Sequence, residues 1–205
     1  LRTLAGTGAE EVVVVGLGAT TGELPPGAWG DLAGLALAGI TATLDAGSVV
    51  AQGDAEQRLS RPLVLGVRLL DAVLPGVPRR AATVSAQASP TEAAALGEQL
   101  VAGPQPVGLL VVGDGSAATV EASPAALVPG AVAVDREAAR AVGAGDLAAI
   151  RSLTPEQGER FVIEGRAPWQ VAAGAALAVR DRRWHGELGY DAAPYGVTYL
   201  VATWT

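Results

Sequence analysis

Asp114 and Ser116 stand two residues apart in Gly113-Asp114-Gly115-Ser116-Ala117, directly after the aliphatic run Val107-Gly108-Leu109-Leu110-Val111-Val112. A carboxylate at the exit of a buried strand binds a cation or takes a proton. An Asp between two glycines serves equally well as a turn former that accepts backbone N–H groups. Ser116 has no histidine near it in sequence. Gly-Asp-Gly-Ser-Ala also departs from the Gly-x-Ser-x-Gly nucleophile elbow, which argues against a serine hydrolase. His185 is the single histidine. One imidazole can act as an acid or base, but it excludes a multi-histidine metal site within these residues. Its place after Arg180-Asp181-Arg182-Arg183 and beside Trp184 reads as an exposed or structural ring. Glu187, Asp191 and Tyr195 follow it. Tyr195, between Pro194 and Gly196, reads equally as a packing aromatic or a pocket wall.

A second loop, Gly16-Leu17-Gly18-Ala19-Thr20-Thr21-Gly22, follows the run Val12-Val13-Val14-Val15 and superficially resembles a phosphate cradle. A dinucleotide site needs a helix to open at such a loop, so that its first amides face the phosphates. Glu23-Leu24-Pro25-Pro26-Gly27 follows instead. Paired prolines and a glycine are poor material for that helix, so a tight strand exit is expected.

The elements that must position these residues alternate between strand and helix. Buried strands are expected at Glu11–Gly16, Arg80–Ala86 and 107–113, with a shorter one over Gly39–Leu44. Arg61–Leu74 carries apolar residues at helical spacing, with Pro62 in the first turn. Ser89-Pro90-Thr91-Glu92 and Thr154-Pro155-Glu156-Gln157 are capping boxes; they start helices expected to run to about Val101 and to end by Gly165. Ala125–Ala144 is read as mainly helical with a break near Pro129-Gly130. Asp146 caps a short helix to Ser152, and Arg166–Val179 forms a further helix with Trp169 as its core anchor. The end of a helix is expected over Leu1–Glu10, a loop over Gly47–Glu56, and a C-terminal hairpin from Trp184 to Trp204.

The 205-residue chain has an apolar half with only four Trp, three Tyr and one Phe, so its core is built from Val, Leu and Ala. That suits helices packed on a largely parallel sheet. Lys, Asn, Met and Cys are absent, which reads as a coding bias towards GC-rich codons. The lack of cysteine excludes disulfides, thiolate catalysis and cysteine-ligated metals. A net charge of −7 argues against nucleic acid or an anionic membrane as the main partner. No apolar run approaches the ~20 residues of a membrane span, and no secretory signal is evident. A cytoplasmic location is the expectation.

Several stretches together resemble the class III extradiol ring-cleavage dioxygenase (LigB-like) superfamily, in a branch found in actinobacteria. They are Val12–Gly16 with its glycine loop, Leu110–Ala117, Gly165-Arg166-Ala167-Pro168-Trp169-Gln170, and Tyr190-Asp191-Ala192-Ala193-Pro194-Tyr195-Gly196-Val197. The likeness covers nearly all of the chain, and its specificity lies in the order and spacing of short motifs. It implies a three-layer αβα sandwich around a mostly parallel mixed sheet, in a single α/β domain over residues 1–205, with one further strand before Leu1. In active members two histidines and a carboxylate hold a non-haem Fe(II), leaving positions open for a catechol and O₂. The resemblance puts one histidine after the strand preceding Leu1. It puts a second in the loop that here holds Ala19, Thr20 and Thr21, and a third at Ala117.

The leading expectation is therefore a LigB-like protein without ring-cleaving activity, with no catalytic residue, metal ligand or cofactor assigned. It is expected to keep a small-molecule pocket drawn from Gly18, Ala19, Thr20, Thr21, Asp114, Ser116, Ala117, His185 and Tyr195. One alternative is an active Fe(II) dioxygenase acting on a catechol-type substrate, with ligands supplied upstream of Leu1. Another is a structural or partner-binding subunit. A homo-oligomer is compatible with all three.

Overall fold

The computed structural model describes Gly6 and residues 8–35, 37–44, 58–121 and 125–205. The loop expected at Gly47–Glu56 lies outside those residues, as does most of the helix end expected before Glu10. Among the described residues the chain is mixed α/β, with a mostly parallel mixed sheet and six α-helices. It forms two compact units, one of residues 1–84 and 103–112, the other of 85–102 and 113–205.

The first unit is built on β1 (Glu11–Gly18), whose Val12–Val15 side chains are shielded from water on both faces. Unbroken β-branched residues favour that doubly covered position. The sheet order is β2-β5-β1-β6, with β2 at Gly22–Glu23, β5 at Arg79–Ser85 and β6 at Val107–Val112. β1 and β6 run parallel with Val13 opposite Leu109, whereas β2 turns back antiparallel to β5, Gly22 opposite Thr83. The glycine loop is thus a tight strand exit, and no helix opens there.

Helix α1 (Arg61–Val73) buries Leu63, Val64, Val67 and Leu70 completely. Each such side chain contributes roughly 1.5–3 kcal/mol. Gly66 lets the helix close on the sheet, because a Cβ there would lie 2.4 Å from Val14 Cγ1. Two residues earlier, and so on the opposite side of the helix at ~100° per residue, Val64 abuts Gly30. A Cβ on Gly30 would meet Val64 Cγ2 at 2.7 Å. The helix therefore lies between the sheet and the hairpin of β3 (Trp29–Leu32) and β4 (Leu37–Thr43). Strand β3 has no counterpart in the sequence reading: only four residues long, with Gly30 and Asp31 inside it, it carries no strand signal.

In the second unit, α2 (Pro90–Leu100) and α6 (Arg166–Ala178) pack closely through two glycines. A Cβ on Gly97 would fall 2.0 Å from the Val171 carbonyl oxygen, and one on Gly174 would fall 2.2 Å from that of Ala94. Both capping boxes form, at Ser89 and at Thr154. Helices α3 (Ala131–Ala144), α4 (Leu147–Ser152) and α5 (Pro155–Arg160) follow, then the hairpin β7 (Gly186–Ala192) and β8 (Tyr199–Trp204). The Trp204 indole N–H donates to the Val142 carbonyl at 2.7 Å, tying the hairpin to α3.

One helix expectation is corrected. Helix α3 starts at Ala131, not near Ala125: the Ala125 and Val128 amides donate to the Ala117 and Ala118 carbonyls instead of continuing a helix. The helix expected to end by Gly165 stops at Arg160, where Val162 takes a left-handed φ of 49° and Ile163 pairs with Ser116.

Candidate functional site

The loop that leaves β6 is fixed from three directions, all within the second unit. Gly115 N–H donates to the Thr198 carbonyl at 2.7 Å, and Thr198 N–H donates back to the Ser116 carbonyl at 3.0 Å. Ala117 N–H donates to Val162 at 3.1 Å, and Gly165 N–H donates to the Asp114 carbonyl at 2.7 Å. Asp135, buried on α3, accepts the Ser116 N–H with one carboxylate oxygen and the Thr198 hydroxyl with the other, each at 2.7 Å. A buried carboxylate is tolerable only when its oxygens are satisfied in this way.

Ser116 is wholly buried. Its hydroxyl donates to the Phe161 carbonyl at 2.5 Å and accepts the Ala118 N–H at 3.1 Å. A hydroxyl engaged as donor and acceptor is a structural pin and not a nucleophile. Close packing around it demands small residues: a Cβ on Gly113 would lie 2.6 Å from the Gly165 Cα, and one on Gly115 would lie 2.7 Å from the Thr198 Cβ.

Asp114 differs from its neighbours. Its carboxylate takes no hydrogen bond from the described residues and is partly buried. Burial first, and the nearby Glu164 charge second, push it above the usual carboxylate range. Within residues 113–117 it is the one polar side chain without a hydrogen bond from the described residues.

The other expected residues fall as follows. Gly18 ends β1 against the Thr83 side chain, and Ala19, Thr20 and Thr21 lie exposed in the bend before β2, all in the first unit. Tyr195 is 78% exposed in the β7–β8 turn. His185 sits at the open end of that hairpin, exchanging backbone bonds with Thr205. The seven residues of β7, at about 3.3 Å each, put His185 some 20 Å from the turn. The hairpin thus brings Thr198 to the Asp114 loop and keeps His185 away from it.

Sequence reasoning passed over Asp135, Glu164 and Thr198, whose partners are remote in the chain. It also passed over the interior roles of Arg166 and Gln170. The buried Arg166 guanidinium donates to the Ala86 and Ala88 carbonyls and to Gln170 Oε1; Gln170 Nε2 in turn donates to Ile150 and Leu153. This pair locks the loop after β5 and the end of α4 onto α6. An Arg opening a helix four residues before a Gln was the visible signal, though it reads by default as an exposed helix pair.

Among the described residues no group of three His, Cys, Asp or Glu is placed to hold a metal ion, and no helix is long and apolar enough to cross a membrane. Comparison with family models and with curated proteins finds no match to this chain.

Proposed function

We propose that the chain is a LigB-like αβα protein that binds a small molecule through the loop after β6 and does not cleave a ring. A single α/β domain in three layers, a cytoplasmic location and a partner that is neither nucleic acid nor membrane belong to the same proposal. The observation that carries it is Asp114: a partly buried carboxylate, raised by burial, with no hydrogen-bond donor from the described residues. Two adjacent hydroxyls on a ligand would supply the missing donors, one to each oxygen. Catechol is the simplest probe that offers them.

The iron of ring-cleaving relatives does not fit the residues present. Ala117 offers only its backbone, whose N–H donates to Val162 and whose carbonyl accepts from Ala125. Ala19 has no ligating atom, and Thr20 and Thr21 offer hydroxyls, poor substitutes for the imidazole that holds Fe(II). His185 is bound into the far end of the hairpin. No chemical step is therefore assigned to the metal.

Titration of the protein with catechol, by calorimetry, tests the reading. Saturable binding that weakens about tenfold in Asp114→Ala, a change worth ~1.4 kcal/mol, supports it. Catechol binding that ignores the substitution, or no binding at all, overturns it.

A further inference from the structure

A recess of about 270 Å³ opens in the second unit, beside the pinned loop; its lining includes Asp135 and Thr198, which hold that loop, but not Asp114. It holds the volume of about nine waters at ~30 Å³ each, close to the lower end of small-ligand pockets. One wall is a single face of α3, where Val132, Asp135, Arg136 and Ala139 recur at the three- and four-residue spacing that aligns side chains along a helix. The turn end of the hairpin contributes Asp191 and Thr198 to the lining.

The charges on these walls are of opposite sign. Arg136 and Asp191 are both exposed, and neither forms an ion pair with another described residue. Asp135 at the base is already committed to the Ser116 amide and the Thr198 hydroxyl. The free charged groups among the described lining residues are thus one guanidinium and one carboxylate, with Val132 and Ala139 as apolar lining.

We propose that this recess binds a small zwitterion of the α-amino-acid class with a short aliphatic side chain. Its carboxylate meets the planar fork of Arg136, which matches that group in two-point geometry. Its ammonium meets Asp191, and its side chain lies on Val132 and Ala139. A carboxylic acid or an amine alone satisfies only one of the two charges.

Calorimetric titration of the intact protein with L-valine, isobutyrate and isobutylamine tests this. L-Valine should bind saturably, and each half-molecule should bind at least about tenfold more weakly, the factor equivalent to ~1.4 kcal/mol. Arg136→Ala and Asp191→Ala should each weaken L-valine by a similar factor while melting like the parent, since both side chains are exposed. Absence of saturable L-valine binding overturns the proposal. So does isobutylamine or isobutyrate binding as tightly as L-valine, or binding that is indifferent to both substitutions. Because Asp114 takes no part, Asp114→Ala should leave L-valine binding unchanged, which separates this site from the catechol site.

Discussion

The Thr198 hydroxyl donates to the Asp135 carboxylate at 2.7 Å, joining the C-terminal hairpin to α3 across 63 residues of chain. The other oxygen of the same carboxylate holds the Ser116 amide. One buried acid therefore sets the conformation of the loop after β6 and the position of the hairpin turn together.

Removing that acid should be costly. Asp135→Ala leaves a buried amide and a buried hydroxyl without their acceptor, and hydrogen bonds to a charged group contribute about 1.5–3 kcal/mol each. A loss of about 3 kcal/mol in unfolding free energy is expected from chemical denaturation. Thr198→Val should cost less, and the double variant should fall short of the sum, because the two share one bond. Strict additivity would show that the bond carries no stability.

The contact of α2 with α6 makes a sharper steric test. Gly97→Ala drives a methyl to within 2.0 Å of a backbone carbonyl, which no rotamer change relieves. A loss of at least 1–3 kcal/mol is expected, as for overpacking generally. Gly103→Ala, where the added methyl meets nothing within 4 Å, is the control. Its effect should stay within about 0.5 kcal/mol. Equal melting temperatures for the two variants would contradict the packing described.

Arg166 is held by two carbonyls and an amide oxygen, with no carboxylate of the described residues ion-paired to it. Arg166→Lys keeps the charge but loses the fork that reaches Ala86, Ala88 and Gln170 at once. Denaturant melts should show a loss of about 2–4 kcal/mol, in the range for buried polar groups left unpaired. A neutral outcome would mean that the guanidinium is replaceable by a point charge.

The pH dependence follows from Asp114. Burial and Glu164 raise its carboxyl in the folded protein, so the native state binds the proton more tightly than the unfolded chain does. The stability this contributes is present below the unfolded value near ~3.9, and it is lost as pH rises through the raised folded value. Asp114→Asn should therefore stabilise the protein at neutral pH and flatten the loss of stability with rising pH across the mildly acidic range. Parallel stability–pH curves for parent and variant would refute this sign.

The parts of the fold that the sequence made legible are those set by local chemistry. Ser89 and Thr154 cap their helices through bonds only three residues long, and Val12–Val15 form a buried strand from composition alone. Asp114 was legible as a candidate because it follows an aliphatic strand. The remainder depended on distant partners. Asp135 looks like any mid-helix acid until Ser116 and Thr198 arrive from 19 and 63 residues away. Residues 125–128 read as helix because Ala and Leu favour it, yet the Ala125 and Val128 amides are drawn to Ala117 and Ala118. Ser116 read as a possible pocket residue, and its exchange with Phe161 and Ala118 converts it into a pin.

The most direct test of the central claim is oxygen consumption by the protein after anaerobic loading with Fe(II), with catechol as substrate. The expected result is that catechol binds while oxygen uptake stays at the rate of iron and catechol in buffer. Stoichiometric iron uptake with oxygen consumption that depends on both protein and catechol would contradict the claim.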